Sequence, residues 1–104
     1  MDKLAALNEI LQLDPRNAFA RYGLAMEHAA QGNPGQAITE FTTCIAHNPD
    51  YVPAYQMLAQ TLVSLGRTDD ALAQLHSGIA AANRTGNQHA LAEMEAMREE
   101  LAAR

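Results

Sequence analysis

Apolar residues recur at helical spacing in six stretches, separated by short runs rich in Gly, Pro, Asn and Asp. Between Asp2 and Leu13, residues Leu4, Leu7, Ile10 and Leu11 share one face before Asp14-Pro15 breaks the helix. Further helices are predicted at about 18–31, 34–47, 52–65 and 68–82, with Leu24, Phe41, Ile45, Leu58, Leu62, Leu75 and Ile79 as their filling. After a linker at Asn83–Gly86, where Thr85 and Gln88 are spaced as a capping box, a last helix runs from about Asn87 to Ala103. It gathers Leu91, Met94, Arg98 and Leu101 on one face and turns Glu93, Glu95, Glu99 and Glu100 mostly away.

The middle of this pattern repeats itself at a spacing of 34 residues. With 17–50 set above 51–84, Ala20 falls over Ala54, Leu24 over Leu58, Ala25 over Ala59, Gly32 over Gly66, Ala37 over Ala71, Phe41 over Leu75 and Ile45 over Ile79, while Pro15 precedes Pro49 by the same interval. A fixed period of this length is the mark of a helical solenoid, whose units bury their apolar faces only against neighbours. Within each unit, Gly32 or Gly66 ends a helix, because a residue without a Cβ tolerates the left-handed conformation found there. The following helix is expected to start on Asn33 as cap with Pro34 at its first position, and on Thr68 as cap with Asp69 and Asp70 at the positive end of the dipole. Alanines 25, 37, 59 and 71 are small where two antiparallel helices would cross.

On these residues the chain resembles the tetratricopeptide repeat family. The resemblance implies an all-α, right-handed superhelical α-solenoid of antiparallel hairpins, with all 104 residues in one domain. Residues 17–50 and 51–84 would be full repeats, 2–13 a half-repeat helix, and 87–103 a C-terminal cap helix whose polar outer face aids solubility. Continuing the period places Glu93 where Ala25 and Ala59 sit. In this family the first helices of successive units line a concave groove that grips a peptide or a partner helix. Carried over, the groove residues are Phe19, Tyr22, Met26 and Ala30, then Pro53, Gln56, Met57, Gln60 and Ser64, with Asn17 and Tyr51 at the helix mouths and Asn87, Ala90 and Met94 extending the wall. The family's best-known groove clamps acidic chaperone tails with Lys, Asn and Arg. Here Tyr22, Met26 and Met57 occupy those places, which implies a partner that is not a strongly acidic tail.

Composition narrows the partner further. A formal net charge of −5, with one Lys (Lys3) and six dispersed Arg, weighs against nucleic acid and against anionic membrane. The single Cys44 has no internal disulfide partner, and Met1-Asp2-Lys3 opens no apolar run like a signal peptide, so a soluble, cytoplasmic protein is expected. Catalytic chemistry finds little support. Cys44 and His47 are three apart on one helix, yet Cys44 falls over Gly78, where a small buried residue is needed, so an inert thiol is expected. The four His lie on different helices without ligand pairing, so neither a metal nor a cofactor is expected. His28 takes a place where the family often has Tyr, which implies a hydrogen bond within the repeat. The expected function is a non-catalytic protein-binding scaffold. The second reading is self-association, to a homodimer, through Leu4, Leu7 and Leu11 of the first helix and Met94 and Leu101 of the last.

Overall fold

The computed structural model describes residues 2–104, and these form six helices with no strand among them. They are α1 (Lys3–Leu13), α2 (Ala18–Ala30), α3 (Pro34–His47), α4 (Val52–Ser64), α5 (Thr68–Thr85) and α6 (Gln88–Ala102). Each packs on the next in chain order, and α4 also touches α2 on one side and α6 on the other. The odd-numbered helices make no such contact among themselves. The array therefore curves with the even helices on its inner side, in a slab of 42 × 29 × 19 Å.

The turns show why the period holds. Gly32 and Gly66 sit at φ +78° and +75° and close the α2–α3 and α4–α5 turns. Asp14 and Asn48, the residues before Pro15 and Pro49, share nearly the same extended geometry (φ −142°, ψ 82° and φ −144°, ψ 88°), because proline's ring bars the helical region to its predecessor. At the third occurrence the period brings Asn83 in place of a proline. Nothing breaks the helix there, so α5 runs on to Thr85 and stops at Gly86, φ +71°. The predicted linker is thus mostly helix. Its capping box does not form: Thr85 Oγ1 donates back to the Ala81 carbonyl, and Asn87 caps α6 by accepting from the Ala90 amide at 3.1 Å.

Two other caps differ from expectation. Asn33 occupies the cap position before Pro34, but its side chain makes no capping bond. Thr68 is the first residue of α5 rather than its cap; Arg67 stands there, and its Nε donates to Asp70 at 2.9 Å.

The core follows the repeat. Ala25, Ala37, Ala59 and Ala71 are wholly buried, with Phe41, Leu58, Leu75 and Cys44 packed among them. Leu24 joins Leu11 and Ala20 in a smaller cluster beneath α1, and Ile45 is only half-buried. One repeated contact joins unlike residues. Arg21 and Tyr55 occupy the same place in successive units: Arg21 donates to the Pro15 carbonyl at 3.0 Å and Tyr55 Oη to the Pro49 carbonyl at 2.6 Å. Both tie the inner helix to the prolyl turn before it, so register is held by a shared acceptor although the donor changes. Arg21 also pairs with Glu40 of α3 at 3.4 Å.

Candidate functional site

The even helices carry the uncharged residues expected to line the groove. Phe19, on the first turn of α2, is 73% exposed, an expensive position for a phenylalanine that none of the described residues covers. One turn on, Tyr22 is half-buried, its ring 5.9 Å from Phe41 and 5.4 Å from Tyr51. The tilted rings form an aromatic floor that bridges α2 to the start of α4. Burial, and then the field of Cys44, pushes the Tyr22 hydroxyl above its ordinary pKa; burial does the same to Tyr51. Both hydroxyls therefore keep their protons well past neutrality. Neither is engaged in a hydrogen bond among the described residues, which leaves two donors for a bound segment.

Met26, Gln56 and Met57 are half-buried along the same helices, Gln60 is exposed, and Asn17 caps α2 by accepting from the Ala20 amide at 2.8 Å. At the far end a cleft of about 220 Å³ opens between α4 and α6, lined by Gln60, Val63, Met97, Glu100, Leu101 and Arg104. Only Gln60 of these was named for the groove from sequence. Val63 stands where the first repeat has Ala29, and Met97 depends on the rotation of α6, which the repeat does not fix, so neither is legible in the sequence as a groove position. The charged pair Glu100–Arg104, at 3.4 Å, rims this end.

Several sequence assignments need correction. Met94 cannot line the groove or an outer contact, because it is fully buried against α5, where a Cβ on Gly78 would lie 2.7 Å from its sulfur. Leu11 and Leu101 are likewise buried within this chain, at 7% and 4% exposure, and offer no surface for a second copy. Leu4 and Leu7 are half-buried against α2. The exposed large apolar residues of α1 are instead Ile10 and Leu13. His28 makes no side-chain hydrogen bond among the described residues; its Nδ1 is buried without a partner beside a second cleft of about 290 Å³ lined by Asn8, Leu24, Gln36, Thr39 and Glu40.

Cys44 has the surroundings of an inert thiol. It is 0% exposed, its sulfur donates to the Ala18 carbonyl at 3.4 Å, and burial pushes its pKa up to about 11. Alkylation of the folded protein at pH 8 should accordingly be negligible over the hours in which the denatured chain reacts completely, as a mass shift would read. The burial also fixes a sign. The unfolded thiol ionises first, so the contribution of Cys44 to stability is full below the ordinary thiol pKa and is lost as pH rises towards 11. No group of three or more metal-ligating side chains occurs among the described residues, and no helix is long and apolar enough to cross a membrane.

A family model described as tetratricopeptide repeat matches residues 28–94. Among solved structures, a tetratricopeptide repeat domain protein from Salinibacter ruber is 35% identical over 85% of this chain and 89% of its own, with a TM-score of 0.80. The type III secretion translocator chaperone SycD of Yersinia enterocolitica matches at 16% identity over 96% of this chain and 70% of its own, TM-score 0.87. The TPR2B domain of yeast Sti1, in complex with pHsp70, matches at 19% identity over 96% and 80%, TM-score 0.88. These last two show likeness of fold alone. No curated protein matches. With its 34-residue period, its curved six-helix array and these matches, the chain belongs to the tetratricopeptide repeat family.

Proposed function

We propose that the chain is a non-catalytic scaffold of the cytoplasm that holds a peptide or partner helix along the inner face of α2, α4 and α6. The observation that carries this reading is the exposed Phe19 beside the Tyr22–Tyr51 floor, continuous through Met26, Gln56, Met57 and Gln60. Apolar area left open in a row meets an apolar or amphipathic segment, while the two Gln amides and the Tyr hydroxyls serve its backbone. Methionine adapts its shape, so sequence tolerance among partners is part of the proposal. The similarity in fold to the Sti1 domain, in complex with pHsp70, and to SycD, a chaperone, supports protein recognition in general. The groove differs in kind from a carboxylate clamp, since no Lys or Arg stands among its α2 and α4 residues, and an acidic tail is therefore not its ligand.

The test is selection of displayed random peptides on the folded protein, followed by affinity measurement with Tyr22→Ala/Met26→Ala. Selected peptides should be apolar or amphipathic, and the double variant, with unchanged helix content, should bind them at least about tenfold more weakly, as expected when contacts worth ~1.4 kcal/mol or more are removed. Undiminished affinity in that folded variant would place binding elsewhere.

A further inference from the structure

The period gives every α1 residue a counterpart in α3 and α5. Lys3 corresponds to Ala37 and Ala71, and Ile10 to Cys44 and Gly78; all four counterparts are buried, whereas Lys3 is exposed and Ile10 is 43% exposed. In the complete hairpins these positions face the unit's own first helix: Cys44 reaches Ala18 of α2, and a Cβ on Gly78 would lie 2.7 Å from Tyr55 Cβ of α4. No helix among the described residues takes that place beside α1.

Helix α6 is the reciprocal case. It aligns with α2 and α4 after a shift of two residues, which the extra length of α5 supplies. Ala90 then matches Ala20 and Ala54, Met94 matches Leu24 and Leu58, all of them buried, and the Asn87 cap repeats the Asn17 cap. In that register Leu91 falls with Arg21 and Tyr55, Glu95 with Ala25 and Ala59, and Arg98 with His28 and Leu62. These are positions that face a second helix in the complete units. Here Glu95 and Arg98 are exposed and Leu91 is half-buried.

We infer that α6 of one copy packs into the open place beside α1 of another, so that two copies complete one hairpin and stack head to tail. Charge complementarity singles out this occupant. In the complete hairpins the first-helix alanines 25 and 59 and the second-helix alanines 37 and 71 share one core; in the composite hairpin the corresponding residues are Glu95 and Lys3, of opposite sign. His28 and Gln36 line one cleft; their composite counterparts are Arg98 and Asp2, again of opposite sign. Leu91 falls with Ile10, apolar on apolar. The contact is heterologous, so it adds copies head to tail, into an open chain or a closed ring, rather than pairing two copies across a two-fold axis, and its charged pairs make it sensitive to salt. It uses faces of α1 and α6 other than the groove, and it stands independently of the peptide-binding proposal.

Light scattering of the full chain over a concentration series at low salt tests it, with Lys3→Glu and Glu95→Lys as the probes. Both sites are exposed, and Lys3 gives up only a 4.0 Å surface pair with Glu27 of its own chain, so helix content by circular dichroism should be unchanged in each variant. Wild-type mass should climb past the dimer. Each variant alone sets like charges against each other and should need about tenfold more protein to associate. An equimolar mixture of the two variants restores opposite signs at every junction and should associate like wild type. A wild type that stays monomeric throughout, a plateau at dimer mass, or a mixture no better than its components would overturn the proposal.

Discussion

Phe41→Ala should destabilise the protein by about 3–5 kcal/mol, the usual cost of emptying a phenylalanine site in a core. Phe41 is 0% exposed and sits in the continuous cluster that joins α2, α3, α4 and α5. Against a typical stability of about 5–15 kcal/mol, that loss brings the domain close to unfolding. The damage also reaches the groove, since the Phe41 ring lies 5.9 Å from Tyr22 and supports it from beneath. Urea unfolding followed by circular dichroism measures the change. A loss under about 1 kcal/mol would mean that α3 is not sealed against α2 as described.

Gly78→Ala is the second large effect, and its sign runs against helix propensity. Alanine is favoured over glycine in a helix by about 1 kcal/mol, and at Gly35, where an added Cβ meets nothing within 4 Å, that gain should appear as mild stabilisation. At Gly78 the same methyl would lie 2.7 Å from Met94 Sδ and 2.7 Å from Tyr55 Cβ. The methionine end can swing away, but Tyr55 Cβ is fixed to the α4 backbone and its hydroxyl is tied to Pro49. Helices α4 and α5 must therefore part, at a cost of about 1–3 kcal/mol beyond the propensity gain. Thermal unfolding of the two variants side by side reads the contrast. Equal stabilisation at both sites would show that α4, α5 and α6 do not meet at Gly78.

The scaffold is legible in the sequence because a solenoid writes its core in one period. Alanines 25, 37, 59 and 71, the glycines at the turns and the prolines at the unit ends all stand where one hairpin, repeated, requires them. Legibility fails where the period carries no instruction. Nothing in the 34-residue spacing says that Asn83, in place of a proline, lets α5 extend and shifts α6 by two residues, so that Glu95 rather than Glu93 takes the alanine place. The shared role of Arg21 and Tyr55 is not legible because a comparison of like residues does not see two different donors serving equivalent prolyl carbonyls. In the groove, helical spacing identifies a stripe without saying how much of it α5 and α6 cover. Phe19 is open, Met94 closed, and Val63 and Met97 enter from positions that the repeat leaves variable.

The groove proposal is met most directly by methyl NMR of the protein labelled at its methionines, titrated with a peptide selected on the wild type. The proposed groove runs past Met26, Met57 and Met97, all half-buried, whereas Met94 is buried in the core between α5 and α6. Binding along α2, α4 and α6 predicts that the first three methyl signals move together to saturation while Met94 stays nearly fixed. Saturated binding that leaves Met26, Met57 and Met97 in place would contradict the account.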